Sequence, residues 1–289
     1  MGLNIVCTSK PCDGLFYYSY EYTQYLNHVG VKTDMIIVTH PRFTTEDYFN
    51  AIIQKYNSFE NVIFNDFEEV GQTLIMGRSM LTLPYLNKKD YTKEQLLTLH
   101  FLFSNRLISV YSENHPIDYH KAVEYFKPKE IFDLCDYDVY PNGVGKKFEK
   151  IINFSIYKSF KHDIKYQYLF LGTNEIYYKE IEKVIGNNYM LYQSHGIITY
   201  PDRYLNPKYN NINVPVKNLL GSFETYVYTK PNFDPAPRII QECKYFGKKV
   251  LYLRDKEIKD GGPVYWKRPA NCLTDNVNEN NFKQITNII

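Results

Sequence analysis

The chain has 289 residues, 44% of them apolar, and carries a formal net charge of +2. That length predicts about two domains with ample material for two cores, and the near-neutral balance, with no long basic tract, excludes a protein built for strong non-specific nucleic-acid binding. No apolar run approaches the roughly 18 residues that a transmembrane helix requires.

In chain order, residues 4–8 read as a strand, 16–29 as an amphipathic helix ending at Gly30, and 34–39 as a second strand. Residues 48–56 read as helix, 61–65 as strand, 73–81 as another strand, 93–103 as helix, 107–111 as strand, 117–126 as helix and 130–134 as strand. Strands alternating with helices of this length predict a parallel sheet covered on both faces. Pro141 to Gly145 then break the chain, and a Lys-rich stretch reaching Lys165 leads to a second unit. Its first strand runs into Gly172-Thr173-Asn174 and is followed by a helix over 175–185, a strand over 189–192 and a long loop to Asn213. The expected division is a first domain over 1–150, a linker over 151–165, a second domain over 166–275 and a last segment, 276–289, whose helix returns to the first domain.

Compartment is read from what the sequence lacks. The N-terminus enters a strand within a few residues, without the charged start, apolar core and cleavage site of a signal peptide. Met1-Gly2 invites myristoylation, but Val6 stands where Ser or Thr is required. The cysteines Cys7, Cys12, Cys135, Cys243 and Cys272 are odd in number and contain no C-x-x-C pair, which predicts a reduced, cytoplasmic protein. The 29 tyrosines, alongside frequent Asn, Lys and Ile, read as coding bias of an AT-rich genome, with some expected to line a cleft.

The richest stretch is 225–253, TYVYTKPNFDPAPRIIQECKYFGKKVLYL. Tyr226 to Tyr228 is β-branched and aromatic, as a buried strand should be. Pro231, Pro235 and Pro237 hold off helix until the first turn, where proline is tolerated. Ile239, Ile240, Cys243 and Phe246 form a helical apolar face, Gly247 stops it, and 250–253 restarts a strand. Asp234 in the loop and Glu242 two turns into the helix can thus reach one crevice at the carboxyl edge of a parallel sheet. Lys230 and Arg238 beside the helix N-terminus favour an anionic ligand.

This stretch resembles the nucleotide-sugar signature of GT-B glycosyltransferases, especially the family 4 type, in which an acid, seven residues and a Glu precede a small-residue helix, a Gly and a strand. Here the first acid is Asp234 where the family has Glu, within Phe233-Asp234-Pro235. The resemblance implies two facing Rossmann-like domains with the active site in the cleft between them. It also implies that Glu242 accepts from the donor ribose hydroxyls while Asp234 meets the sugar and phosphates. Lys230, Arg238 and the Gly172-Thr173-Asn174 turn would stabilise charge building on the leaving diphosphate. An Arg and Lys pair early in the second domain, common in that family, has no clean equivalent after Gly172.

In the first domain, Ser9-Lys10-Pro11-Cys12-Asp13-Gly14 follows the first strand. Gly14 permits close backbone approach of a ligand, and Asp13 is either a base or sugar ligand or a helix cap. Glu113 and His115, after the strand at 107–111, are the other catalytic candidates, because enzymes of the family 4 type often present a His there. An inverting reaction would need Asp13, Glu113 or His115 within about 3 Å of the acceptor hydroxyl.

Competing motifs fail on inspection. Asp136-Tyr137-Asp138 spells the metal-binding D-x-D of GT-A enzymes, yet a polar strand-end loop explains it and a GT-A fold leaves the second unit unexplained. Gly143 to Lys147 lacks both the first Gly and the Ser or Thr of a P-loop. The first strand is followed by no G-x-G-x-x-G, and no zinc-binding His pattern occurs, so neither cofactor nor metal is expected. The expected protein is an α/β, metal-independent glycosyltransferase moving a sugar from a UDP-sugar to a glycan. A phage enzyme acting on hydroxymethylated DNA in the host cytoplasm is the other acceptor option, with Lys146, Lys147, Lys150, Lys158, Lys161 and Lys165 as its basic rim. The alternatives are a non-catalytic nucleotide-sugar or carbohydrate-binding protein of this fold, or a UDP-sugar epimerase.

Overall fold

The computed structural model describes residues 2–11, 13–65, 72–75, 79–110, 116–127, 130–132, 156–171, 183–186, 188–192, 220–228 and 238–252. The described residues divide into two compact units, with the boundary between Tyr157 and Lys158. Both are α/β, and every strand pair among the described residues is parallel.

The first unit holds β1 (Leu3–Cys7), α1 (Gly14–His28), β2 (Thr33–Ile37), α2 (Thr45–Lys55), β3 (Val62–Phe64), β4 (Gln72–Ile75), α3 (Ser79–Leu86), α4 (Lys93–Arg106), β5 (Leu107–Val110), α5 (Pro116–Phe126) and β6 (Glu130–Phe132). Its sheet order is β3-β2-β1-β4-β5-β6, the doubly wound order in which the chain reverses direction across the sheet beside β1. All five residues of β1 are buried, as befits a parallel strand covered on both faces.

Local chemistry sets these elements. Asp13 caps α1 by accepting from the Leu15 amide. At its far end Gly30 adopts φ +89°, and the Asn27 amide group bonds both Thr23 and Thr33 carbonyls at 2.9 and 2.6 Å, tying the helix to the start of β2. Thr44 and Asp47 close a reciprocal capping box on α2. Leu15 through Thr23 are all buried. Tyrosine supplies large rings to this layer, and two of the hydroxyls have identified acceptors. Tyr20 donates to the Ser58 carbonyl at 2.7 Å and Tyr56 to the Glu21 carboxylate at 2.7 Å. Lys55 places its ammonium 4.0 Å from the Tyr17 ring centroid, a cation held on an aromatic face.

One expected strand is partly a helix. Residues 73–81 read as a single strand, but β4 ends at Ile75 and Ser79 begins α3. Gly77, Arg78 and Ser79 interrupt the apolar residues there, a punctuation that the reading as one strand passes over, and Met80 and Leu81 are both fully buried. Pro84 lies inside α3 and lacks the N–H that would bond the Met80 carbonyl. The Thr8 hydroxyl donates to that carbonyl instead, at 2.8 Å.

The second unit holds β7 (Tyr166–Leu171), β8 (Tyr189–Tyr192), β9 (Phe223–Tyr228), α6 (Arg238–Tyr245) and β10 (Lys249–Tyr252) among the described residues. The sheet order is β10-β9-β7-β8, so its reversal lies between β7 and β9. Leu169, Phe223, Tyr226, Tyr228, Ile240 and Cys243 form the core. Gly247 ends α6 at φ +68°, with the Lys248 amide bonded to the Cys243 carbonyl and the Phe246 amide to that of Glu242, the left-handed stop the sequence predicts. The expected break at 141–145 and the last helix lie outside the described residues, as does most of the helix at 175–185. No helix among the described residues is long and apolar enough to cross a membrane.

Candidate functional site

In the second unit, α6 begins after β9, one of the two strands that flank the reversal. Arg238 opens the helix and Glu242 follows one turn later, so their side chains meet on one face. Arg238 Nε lies 2.8 Å from Glu242 Oε1, with side-chain exposures of 8% and 6%. A guanidinium at the first turn adds positive charge to the positive end of the helix dipole. Glu242 offsets that charge internally.

The first unit has its own cluster at the carboxyl ends of β1 and β2. Thr8 is anchored on Met80 by its hydroxyl and by an amide contact to the thioether. Ser9 Oγ donates to Asp13 Oδ2 at 2.8 Å, and Asp13 Oδ1 accepts from the Leu15 amide at 3.3 Å. Asp13 is therefore the helix cap, with one bond on each carboxylate oxygen. Gly14 opens the helix, and a Cβ built on it would meet nothing within 4 Å, which leaves its face open to a ligand.

His40 is the residue that sequence reasoning missed. It follows β2 as Asp13 follows β1, and it is 4% exposed. The Tyr48 hydroxyl staples the two loops together, donating to the Ser9 carbonyl at 3.0 Å and accepting from the His40 amide at 3.0 Å. The Arg42 amide donates to His40 Nδ1 at 3.2 Å. A backbone N–H can only donate, so Nδ1 carries no proton and the neutral ring holds its hydrogen on Nε2. Burial, and then the charges of Lys10 and Arg42, push the imidazole down to about 4, while Asp90 opposes them. Phe43 and Tyr91 stand edge-on to the ring at 5.5 and 6.2 Å. Burial raises the Tyr91 phenol, and its enclosed hydroxyl has no hydrogen-bond partner among the described residues. His40-Pro41 immediately after a predicted strand was the available signal.

The structure thus places Asp13 with Gly14 in the first unit and Arg238 with Glu242 in the second. Glu113, His115, Gly172, Thr173, Asn174, Lys230, Asp234 and the Asp136/Asp138 pair lie outside the described residues. Among the described residues, no three His, Cys, Asp or Glu side chains group as metal ligands. No family model matches the chain, and no curated protein matches it in sequence.

Proposed function

We propose that the chain is a GT-B-type glycosyltransferase that takes its sugar from a nucleotide-diphospho-sugar, a UDP-sugar being the first candidate. The observation that carries this reading is the buried Arg238–Glu242 pair on the helix that follows β9, beside the strand-order reversal where parallel sheets take ligands. Glu242 would accept from the ribose hydroxyls. Arg238 and the α6 N-terminus, together with Lys230, Asp234 and the Gly172-Thr173-Asn174 turn, would meet the diphosphate and sugar. Charge grows on the departing diphosphate, so preorganised donors there would lower the barrier.

In the first unit Asp13 and Gly14 would face the reacting groups, with Glu113 and His115 as the other catalytic candidates. The acceptor is a hydroxyl of a glycan or of hydroxymethylated DNA. A non-catalytic nucleotide-sugar-binding protein is the second reading, favoured by one observation. Both oxygens of Asp13 already accept hydrogen bonds, which suits a cap better than a base.

The test is nucleotide release from UDP-, GDP-, ADP- and dTDP-sugars, with and without EDTA and with pooled glycan and hydroxymethylated DNA acceptors. Release from one donor that survives EDTA is the expected result. Tight donor binding without release under any acceptor supports the second reading, and neither binding nor release refutes both.

A further inference from the structure

Tyr48 ties the loop that carries His40 to the loop that carries Asp13. His40 presents Nε2–H, because Nδ1 is committed to the Arg42 amide, and Asp13 retains carboxylate lone pairs beyond the two used by Ser9 and Leu15. The staple joins the Ser9 carbonyl to the His40 amide through a single hydroxyl, which holds the two loops side by side. Lys10, from the Asp13 loop, acts electrostatically on His40.

From this geometry we propose that the carboxyl ends of β1 and β2 form a recognition site for the hydroxyl groups of a neutral carbohydrate, His40 donating to a sugar oxygen and Asp13 accepting from a sugar hydroxyl. A hydroxyl is the ligand group that both donates and accepts. A phosphate or carboxylate would meet the Asp13 charge, and an ammonium would meet Lys10. The rings of Phe43 and Tyr91 beside His40 supply apolar surface of the kind that lines small-molecule sites around a few fixed polar groups. His40 stays uncharged at neutral pH, so its donor role costs no change of protonation on binding. The inference concerns sugar binding by the first unit and does not rest on the transfer reaction.

The experiment uses the full chain and observes the histidine ring nitrogens by NMR while glucose, galactose, mannose or N-acetylglucosamine is added without any nucleotide. Before addition, His40 should show the Nε2–H tautomer. At least one sugar should then shift its signals saturably while those of His28 and His100 stay in place. His40→Gln, whose amide can donate from a similar position, should retain binding within about twofold. His40→Leu, of comparable bulk and without a donor, should weaken it by at least about fivefold, the worth of one net hydrogen bond. Thermal unfolding of each variant confirms that it folds. An Nδ1–H tautomer, no saturable shift from any of the four sugars, or equal affinity in His40→Leu would overturn the proposal. Transfer activity can be absent while this binding is present, so the two readings fail separately.

Discussion

His40 makes the clearest prediction at the scale of single residues. Its folded-state pKa lies near 4, below the roughly 6.5 of an unfolded imidazole. As pH falls between those values the unfolded chain takes up the proton first. His40 therefore costs nothing above about pH 6.5, and stability is lost progressively as pH drops toward 4. Urea midpoints across that range should fall more steeply for the wild type than for His40→Gln, and identical slopes would show that His40 is not held neutral. Glu242 carries a second prediction. A ribose-facing acid reads from sequence as contributing little to stability, but here it neutralises a buried guanidinium. Glu242→Ala should destabilise by about 3 kcal/mol, because it strips the charge of Arg238 of this carboxylate. Glu242→Gln, which still accepts from Nε, should cost less and is the better variant for donor-binding assays. Gly14→Ala separates scaffold from ligand. It should stabilise the free protein by about 0.5–1 kcal/mol, and reduced donor or acceptor affinity in that variant would show that a ligand backs onto Gly14. Arg238 and Glu242 were legible in sequence for separate roles, and their pairing one helical turn apart is what the structure adds. His40 was not legible, because its burial depends on Tyr48 and Tyr91, which only the folded chain brings near.

Among the elements, α3 shows how a helix can be read past. Gly77, Arg78 and Ser79 mark a break within residues 73–81, but Pro84 argues against helix beyond them until a partner for the Met80 carbonyl is known. That partner is Thr8, 72 positions earlier. Thr8→Val should cost about 1–3 kcal/mol by leaving the carbonyl bare. Pro84→Ala restores an N–H within α3, and in that background the cost of Thr8→Val should shrink. A double-mutant cycle on urea midpoints measures the coupling, and additive effects would refute the compensation. The stops, by contrast, were local: Gly30 and Gly247 punctuate their helices in sequence as in structure, and β8 spans the residues its pattern marks. Gly221 could not be read in that way. A Cβ there would fall 2.3 Å from the Lys161 carbonyl, a contact made by chain segments far apart in sequence.

For the molecule as a whole, alternating strands and helices made two parallel α/β units legible, while strand order was not, since order depends on which side of β1 each crossover returns. The order found puts β1 between β2 and β4, with Leu3 opposite Gln72. Amide exchange should be slower in β1 than in the edge strand β3, because both edges of β1 are paired and all its residues are buried. Faster exchange there than in the edge strand β3 would contradict the order. The same placement has a consequence for synthesis. β1 leaves the ribosome before both of its partners, and one of them is some 70 residues behind it. At about 5–20 residues per second the nascent strand waits roughly 4–14 s with that edge open. A short apolar segment with an unpaired edge is what other chains add to, so yield in a heterologous host should respond more to translation speed and chaperone supply than to changes on the finished surface.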